Sequence, residues 1–312
     1  MAVYTPVSAE AMAALLERYD VGTLVSAKGI AEGVENSNFL VATTQASFIL
    51  TLYEKRVDAS DLPFFLALTD HLAVRGLPVP RAIRDAQGLQ LQEVAGRPAC
   101  LIEFLPGVSV SDPNVAQAKA TGAALGAMHA ALADFEGVRP NTLGLEGWHE
   151  LAGRCGDAID AIAQGLAARV ARELDWLDEH WPSDLPRAVV HADLFPDNVL
   201  MRGDAVGGII DFYFACSEVR AWDLAVTHAA WSFAEDGTGY RADIGDAIVA
   251  GYDAHFGLSD DERAAFPALA RGACLRFLLT RAWDWLNTPP HALVTRKDPL
   301  AFLRRLEHYA AL

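Results

Sequence analysis

Three polar side chains within one short stretch of the chain have the types and the spacing that phosphoryl transfer requires. The stretch reads His-x-Asp-x-x-x-x-Asn from His191 through Asp193 to Asn198, and Asp211 ends the next apolar run. A carboxylate can orient and deprotonate an attacking hydroxyl group, and a second carboxylate and an amide oxygen are ligands that Mg²⁺ accepts. We therefore predict that Asp193 is the catalytic base and that Asn198 and Asp211 bind a metal ion.

Two neighbours of these residues have simpler predicted roles. An Asp-rich turn between strands often serves only the turn, and this interpretation suits Asp197. His191 is expected to orient the loop by hydrogen bonding rather than to act as an acid or a base. The joint spacing of Asp193, Asn198 and Asp211 is more than turn chemistry requires, so the set indicates catalysis.

The composition of the chain limits the classes of protein to which it can belong. The 312 residues are 52% hydrophobic and 21% charged, which predicts one large or two ordinary globular domains with a substantial core. The net charge of -16, without any run of Lys and Arg, disfavours nucleic acid as a partner. The four cysteines are far apart and form no Cys-x-x-Cys pair, so they predict neither a zinc site nor a disulfide framework.

The sequence also predicts where the protein acts. No apolar run approaches the length of a membrane span, and the N-terminus lacks the charged and apolar segments of a signal peptide. We therefore expect no membrane partner and a cytoplasmic location with reduced thiols. The oligomeric state is not indicated by any pattern in the sequence.

The periodicity of the apolar residues divides the chain into an α+β N-terminal lobe, residues 1–105, and a mainly helical C-terminal lobe, residues 106–312. In the first lobe, helices are predicted after Ser8 and at 61–75, and strands at 24–28, 38–43, 48–54, 89–93 and 99–104. In the second lobe, helices are predicted at 116–133, 148–179, 221–232, 244–256 and 260–286. A hairpin of 198–201 and 207–212 carries Asn198 and Asp211 at its ends, and Pro106 and Gly107 mark the boundary between the lobes.

These motifs resemble those of the aminoglycoside and choline phosphotransferase superfamily, which has a protein-kinase-like fold. The motif from His191 to Asn198 carries the resemblance, together with Asp211 and Phe212, where protein kinases have Asp-Phe-Gly. Within the superfamily the chain is most similar to the bacterial homoserine kinases of this type, in segments that include 35–39, 62–65 and 211–216.

The resemblance implies a fold, an activity and one further structural residue. It implies a bilobal protein-kinase-like fold with a small antiparallel sheet in the N-lobe and a mainly helical C-lobe. It implies that ATP and Mg²⁺ are the cosubstrate and cofactor, and that the side-chain hydroxyl of L-homoserine is phosphorylated to O-phospho-L-homoserine on the way to threonine. Asp223 is then expected to brace the catalytic loop.

His129 lies in the apolar, small-residue segment 126–132. It is predicted to be a buried, hydrogen-bonded histidine near the catalytic loop, and a catalytic role is the alternative.

Two segments of the N-terminal lobe are predicted to bind the nucleotide. Small and polar residues lie between two predicted strands, where backbone N–H groups can approach phosphates: Gly29, Gly33, Asn36 and Ser37. A two-glycine loop is a weak signal by itself, since it equally suits an ordinary hairpin turn. At the connection between the lobes, the backbone around Glu103 and Leu105 is predicted to hydrogen-bond adenine.

The N-terminal lobe departs from the kinase pattern at one position. Most kinase-like enzymes carry a Lys or Arg on the third strand that binds the α- and β-phosphates, but the aligned residue is Thr51. Strand alternation puts Lys55 on the same face as Thr51, and Lys28 lies on the preceding strand. Either lysine could reach the phosphates, and either could equally be a solvated surface residue.

The substrate contacts are predicted from the chemistry of a small zwitterion. A carboxylate calls for a bidentate Arg, and an ammonium calls for an acidic group. Arg281 and Asp284 lie within one turn of a predicted helix, and Glu35 is a further candidate for the ammonium. The spacing of Arg281 and Asp284 equally suits a surface ion pair.

The sequence leaves three functional hypotheses. The first is a homoserine kinase, and the second is a kinase of the same fold that phosphorylates an aminoglycoside, choline or another small alcohol. The third is a nucleotide-binding protein that has lost catalysis, for which Thr51 is the argument. The presence of Asp193, Asn198 and Asp211 together argues against the third hypothesis.

Overall fold

The structure, a computed structural model, describes residues 5–30, 36–54, 58–182, 184–288 and 296–312. The chain forms two compact units. One consists of Met1–Gly107 and Gly207–Tyr213, and the other consists of Val108–Val206 and Phe214–Leu312.

The first unit contains a segment from far along the chain. The division predicted after residue 105 lies close to the end of the first segment at Gly107, but residues 207–213 were expected in the second lobe. They pack in the first unit because the N–H of Ile209 donates to the carbonyl of Pro78 at 2.8 Å and because Tyr213 packs against Tyr53 and Phe65. Asp211 therefore belongs to the same unit as the predicted nucleotide-binding residues.

The first unit is built on one five-stranded antiparallel sheet with the strand order β1-β2-β3-β5-β4. The strands are β1 Leu24–Gly29, β2 Ser37–Thr43, β3 Ser47–Leu52, β4 Gln92–Val94 and β5 Arg97–Glu103. Among the described residues of this unit, the α-helices are α1 Ala9–Leu16 and α2 Leu62–Val74.

Alternation of side chains explains which residues form the core of this sheet. Phe39, Val41 and Leu50 lie on one side of the paired strands and are buried together with Leu15 and Leu16 of α1. Helix α1 begins after Ser8, whose Oγ accepts a hydrogen bond from the N–H of Ala11 at 3.2 Å, as the sequence predicts. The strand pattern and the helix cap thus fix the local structure of this unit.

The second unit is mainly helical. Its helices are α3 Val115–Ala131, α4 Leu145–Cys155, α5 Leu166–His180, α6 Arg220–Trp231, α7 Ala242–Asp253, α8 Asp260–Asn287 and α9 Leu300–Ala310. Two short strands, β6 Arg187–Val190 and β9 Cys216–Val219, pair antiparallel. Two more, β7 Val199–Arg202 and β8 Ala205–Ile209, form a second two-stranded sheet, and β8 continues into the segment that belongs to the first unit.

The prediction of one helix over residues 148–179 was wrong. The chain instead forms α4, a short 3₁₀ turn over Gly156–Ala161, and α5. Gly156 has φ +50° and Gly165 has φ +76°, which are left-handed conformations that interrupt an α-helix. The helix α9 and the pair β6 and β9 were not predicted.

Helices α3 and α7 are in close contact because glycines line both of them. A side chain at Gly122 of α3 would clash with the carbonyl oxygen of Ile248, and one at Gly251 of α7 would clash with that of Lys119. The close approach brings His129 on α3 within hydrogen-bonding distance of Tyr252 on α7.

His228 on α6 gives the fold a dependence on pH. Its Nδ1 lies 2.6 Å from the hydroxyl of Tyr309 on α9. Burial, with a smaller contribution from the charge of His308, lowers the pKa of His228 from 6.5 to about 4. The unfolded chain therefore binds a proton more readily than the folded chain between those values, so the stability present above pH 6.5 is lost as the pH falls towards 4.

We expect His228→Asn to flatten this dependence. The wild-type protein should lose roughly 3 kcal/mol more unfolding free energy than the variant between pH 6.5 and pH 4, since one pKa unit corresponds to about 1.4 kcal/mol. Urea unfolding at several pH values measures the difference. If the unfolding free energies of the two proteins fall in parallel as the pH is lowered, protonation of His228 does not limit stability in acid.

Candidate active site

The loop that follows β6 carries the predicted catalytic base. Asp193 is half-buried, and its carbonyl oxygen accepts a hydrogen bond from the N–H of Phe195 at 2.8 Å. A single 3₁₀ turn, Pro196–Asn198, then leads directly into β7. The loop is thus short and internally bonded, which limits the freedom of the Asp193 carboxylate.

The structure brings Asn198 and Asp193 together. The Nδ2 group of Asn198 donates to the carbonyl oxygen of Asp193 at 2.8 Å and to its Oδ2 at 3.1 Å. Asn198 is buried, so these bonds form in surroundings of low dielectric constant. Since both N–H bonds of the amide are directed at Asp193, the amide oxygen Oδ1 is the group of Asn198 that can bind a cation.

Asp223, at the start of α6, holds the backbone of the same loop. Its Oδ2 accepts a hydrogen bond from the N–H of His191 at 2.8 Å, and its Oδ1 accepts one from the N–H of Ala192 at 2.7 Å. Ala192 has φ +65°, a conformation that costs free energy for a residue with a side chain. The bonds to the Asp223 carboxylate stabilise this strained turn immediately before Asp193.

A buried histidine supports the Asp223 carboxylate. The Nε2 of His129 lies 3.0 Å from Oδ2 of Asp223, and Nδ1 of His129 lies 2.8 Å from the hydroxyl of Tyr252. Burial would raise the pKa of the Asp223 carboxyl group, but the hydrogen bond and charge of His129 and the contacts of His191 lower that pKa by more. Asp223 therefore remains an anion that can accept the backbone hydrogen bonds, and His129 is the buried, hydrogen-bonded histidine that the sequence predicts.

Two side chains from other helices bind carbonyl groups of the loop. Arg276 of α8 is buried, and its Nη1 donates to the carbonyl oxygen of Ala192. Its guanidinium lies over the ring of Phe277 at 4.4 Å. Trp231 of α6 donates from Nε1 to the carbonyl oxygen of Leu194 at 2.9 Å. The backbone on both sides of Asp193 is thus held by donors from two helices.

His191 makes a contact of the kind expected for an orienting residue. Its Nδ1 accepts a hydrogen bond from the N–H of Asp193 at 3.2 Å, which assigns the ring proton of a neutral His191 to Nε2. Asp197 is exposed and lies 3.4 Å from the Nζ of Lys297. Neither contact indicates an acid or base role.

Asp211 lies in the first unit, two residues after the end of β8. It has φ +66°, so its backbone is also in the left-handed region. Phe212, the next residue, is buried. Such conformations persist where the surrounding structure fixes them, and they are frequent at ligand-binding positions.

The predicted nucleotide-binding residues that the structure describes occupy different environments. Gly29 is exposed at the end of β1, opposite Phe39 of β2. Asn36 and Ser37 are buried, and both contact Glu54: Oδ1 of Asn36 accepts from its N–H at 3.4 Å, and Oγ of Ser37 donates to its Oε1 at 2.8 Å. Oδ1 of Asn36 and the hydroxyl of Ser37 are thus engaged with Glu54, and the phosphate contacts of both residues stay predictions.

Thr51 on β3 is buried, and its Oγ1 donates to Oδ1 of Asn38 at 2.8 Å. The position offers no charge to a phosphate. Glu103 is the last residue of β5, and its N–H donates to the carbonyl of Arg81 at 2.9 Å. Leu105 follows as a half-buried residue. The adenine contacts of Glu103 and Leu105 stay predictions.

Three predicted site residues, Gly33, Glu35 and Lys55, lie outside the described residues. Lys28, the other lysine considered for the phosphates, is exposed on β1.

Arg281 lies on α8 within electrostatic reach of the catalytic loop. Its Nη1 donates to the carbonyl of Asp298 at 3.2 Å, and its guanidinium lies 4.6 Å from the ring centre of Phe302. Burial and the charge of Arg305 lower the pKa of Arg281 to about 10, although Asp193, Asp197 and Asp298 raise it. The guanidinium is therefore protonated at neutral pH and close enough to Asp193 to feel its charge.

Asp284 lies on α8 three residues after Arg281, and it is exposed. The assignment of Asp284 to the substrate ammonium stays a prediction.

Comparison with known proteins assigns the family. A model of the phosphotransferase enzyme family matches residues 26–266. The homoserine kinase of Zymomonas mobilis is 57% identical over 99% of this chain and 97% of that protein. The homoserine kinase of Methylorubrum populi is 54% identical over 98% of this chain and 95% of that protein. The chain belongs to the phosphotransferase enzyme family.

Solved structures confirm the fold of this phosphotransferase. An amicoumacin kinase has a TM-score of 0.72 at 16% identity and covers 97% of this chain and 93% of its own. A choline kinase from Cryptosporidium parvum has a TM-score of 0.72 at 14% identity, and the match covers 97% of this chain and 95% of the choline kinase. The prediction of an α+β, protein-kinase-like fold with a sheet lobe and a helical lobe is confirmed. Among the helices described, none has the length and apolar character of a membrane span.

Sequence reasoning missed one residue that binds the catalytic loop of this phosphotransferase directly, Arg276, and one that supports it through His129 and Asp223, Tyr252. Arg276 and Tyr252 are far from the motif in sequence, and nothing in their local pattern indicates a partner. One signal was available for Arg276: it lies between Leu275 and Phe277 in an otherwise apolar part of α8. A charged residue at a buried position needs polar partners, which here include the carbonyl of Ala192.

Proposed function

We propose that this phosphotransferase transfers the γ-phosphoryl group of ATP to the side-chain hydroxyl of L-homoserine and releases O-phospho-L-homoserine and ADP. The observation that carries the proposal is the 57% identity with a homoserine kinase over nearly the full length of both proteins. We also propose that the enzyme acts in the cytoplasm.

Asp193 would accept the hydrogen bond of the homoserine hydroxyl and take its proton as the phosphoryl group is transferred. The transition state of phosphoryl transfer demands position more than basicity. The loop supplies position, because Asn198 donates to the carboxylate and Asp223 holds the preceding backbone.

The donor chemistry of the chain fits a magnesium ion. Asp211 offers a carboxylate, and Asn198 offers the amide oxygen that remains after its Nδ2 has bonded to Asp193. Among the described residues, no three His, Cys, Asp or Glu side chains cluster to hold a metal on their own. This suits Mg²⁺, which proteins commonly bind through one or two side chains while phosphates and water complete its shell. When bound, the ion would neutralise charge on the phosphates.

Arg281 would bind the homoserine carboxylate. It is a protonated guanidinium within electrostatic reach of Asp193, and the ring of Phe302 and the carbonyl of Asp298 limit its movement. A zwitterion whose carboxylate is held there could direct its hydroxyl towards Asp193. Glu35 and Asp284 remain the proposed partners of the ammonium group.

A substrate panel tests the proposal. ADP release would be measured with homoserine, serine, choline and kanamycin. Two analogues of homoserine complete the panel: 3-aminopropan-1-ol, which lacks the carboxylate, and 4-hydroxybutyrate, which lacks the ammonium. We expect homoserine to exceed these two analogues in kcat/KM by about two to five orders of magnitude, since each analogue leaves a charged group of the site unpaired. Activity should require a divalent cation and be lost in excess EDTA.

The panel also separates the alternatives. Efficient phosphorylation of choline or kanamycin, with homoserine inert, would replace the proposal with a different alcohol kinase. ADP release with none of the alcohols would show that the protein does not catalyse this reaction. Full activity in EDTA would remove Mg²⁺ from the proposal.

A further inference from the structure

Tyr213 is the residue that follows Asp211 and Phe212, and it forms aromatic contacts within the first unit. Its ring centre lies 5.5 Å from that of Tyr53 with an angle of 82° between the rings. It lies 5.6 Å from that of Phe65 with an angle of 89°. Both are edge-to-face geometries, which are favourable for aromatic pairs.

The partners of Tyr213 are well fixed. Tyr53 and Phe65 are both 3% exposed. Tyr53 follows β3 directly, and its N–H donates to the carbonyl of Pro98 at 2.8 Å, which ties it to the adjacent strand β5. Phe65 is in the first turn of α2. Tyr213 thus contacts the residue that follows the central strand β3 and a helix of the same unit.

The backbone between these anchors includes the strained Asp211. On one side, the N–H of Ile209 donates to the carbonyl of Pro78 at 2.8 Å. On the other side, the ring of Tyr213 packs on Tyr53 and Phe65. A left-handed conformation at a residue with a side chain relaxes unless its neighbours on both sides are held. The two anchors therefore hold the chain on both sides of Asp211.

The contacts of Tyr213 with Tyr53 and Phe65 are aromatic rather than ionic. Thr51 of β3 is uncharged, and its hydroxyl is engaged with Asn38 on β2. The hydroxyl of Tyr213 lies 3.5 Å from that of Tyr53, which is a weak polar contact beside the ring contact. The rings therefore make the larger contribution.

We propose that Tyr213, packed against Tyr53 and Phe65, is a positioning residue that orients the Asp211 carboxylate towards the divalent cation of the bound nucleotide. This inference rests on the proposed function for the identity of the nucleotide and the cation. It does not depend on which alcohol is phosphorylated.

The variants Tyr213→Leu and Tyr213→Phe test the proposal. Leucine keeps an apolar side chain but removes the ring contacts, whereas phenylalanine keeps the ring and loses only the hydroxyl. Tyr240→Leu is the matched control, because Tyr240 is a partly exposed tyrosine of the second unit that packs on Phe233 at 5.1 Å. Calorimetric titration with ATP, in the presence and absence of Mg²⁺, provides a readout that does not depend on turnover.

We expect Tyr213→Leu to raise the Mg²⁺ concentration needed for half-maximal rate by about tenfold, and to weaken Mg²⁺-dependent ATP binding by about the same factor. A tenfold change corresponds to the free energy of about two aromatic ring contacts. Binding of ATP without Mg²⁺ and the KM for homoserine should change little. Tyr213→Phe should have the Mg²⁺ dependence of the wild type because it keeps the ring. Tyr240→Leu should also leave the Mg²⁺ dependence unchanged. Phe65→Leu should shift it in the same direction as Tyr213→Leu and serves if that variant fails to fold.

A double variant tests whether Tyr213 acts through Asp211. If it does, adding Tyr213→Leu to Asp211→Asn should weaken Mg²⁺-dependent ATP binding less than it does in the wild type. Additive effects, or equal losses of ATP binding with and without Mg²⁺, would overturn the proposal and leave Tyr213 as core packing. If the substrate panel finds no phosphorylated alcohol, the calorimetric result still decides the role of Tyr213.

Discussion

Asp193→Asn is expected to lower kcat by about two to four orders of magnitude while ATP affinity changes little. The loss of a positioned base has an effect of this size, and the asparagine keeps the shape of the side chain. Steady-state kinetics with homoserine and calorimetric titration with Mg²⁺ and ATP measure the two quantities.

Asp197→Asn is the matched control for this variant. Asp197 is an acidic residue of the same loop, but it is exposed, and its described ion pair is with Lys297 at the surface. Its replacement should change kcat by less than about threefold, since exposed ion pairs contribute little free energy. Near-normal turnover in a folded Asp193→Asn protein would exclude Asp193 as the base.

Arg281→Met should erase most of the preference for homoserine over 3-aminopropan-1-ol. The guanidinium is the proposed partner of the carboxylate, and a site that loses such a partner commonly loses about two or more orders of magnitude in discrimination. Methionine keeps the length and the apolar contact with Phe302. The ratio of kcat/KM for the two alcohols is the measurement.

Arg263→Met controls for the loss of one positive charge from the same helix. Arg263 lies near the start of α8 and pairs with Asp253, far along the helix from Arg281. The control should leave the ratio unchanged, and both variants should bind ATP normally. If Arg281→Met keeps the full preference for homoserine, the carboxylate is bound elsewhere.

The parts of the fold that depend on local pattern could be predicted from the sequence. The burial of Phe39 and Val41 follows from strand alternation, and the start of α1 follows from Ser8 as its cap. The break between α4 and α5 was missed, because helical periodicity continues through Gly156, which ends α4, and Gly165, which precedes α5, and both have positive φ angles. The pairing of β6 with β9 was missed because four-residue strands far apart in sequence carry almost no pattern.

In the candidate site, too, the residues that depend on local sequence could be predicted and those that depend on long-range contacts could not. Asp193 and Asn198 could be identified because one loop holds both, and their hydrogen bond is a contact across five residues. Arg276 of α8 contacts the same loop directly, and Tyr252 of α7 supports it through His129 and Asp223, by contacts that only the tertiary structure creates. The assignment of Asp211 to the first unit likewise depends on long-range contacts, among them the bond from Ile209 to Pro78.

Helix α8 bears both Arg276, which binds the loop of the base, and Arg281, the proposed partner of the acceptor carboxylate. Five residues separate them, which is about 7.5 Å along the axis of an α-helix. The same rigid helix therefore fixes the distance between the backbone positions of Arg276 and Arg281, which cannot change without breaking helical hydrogen bonds. A movement of the whole helix would also displace Arg276 and, with it, the loop of Asp193. We therefore expect evolution or design to adapt the enzyme to a longer or shorter alcohol substrate by replacing the side chain at position 281.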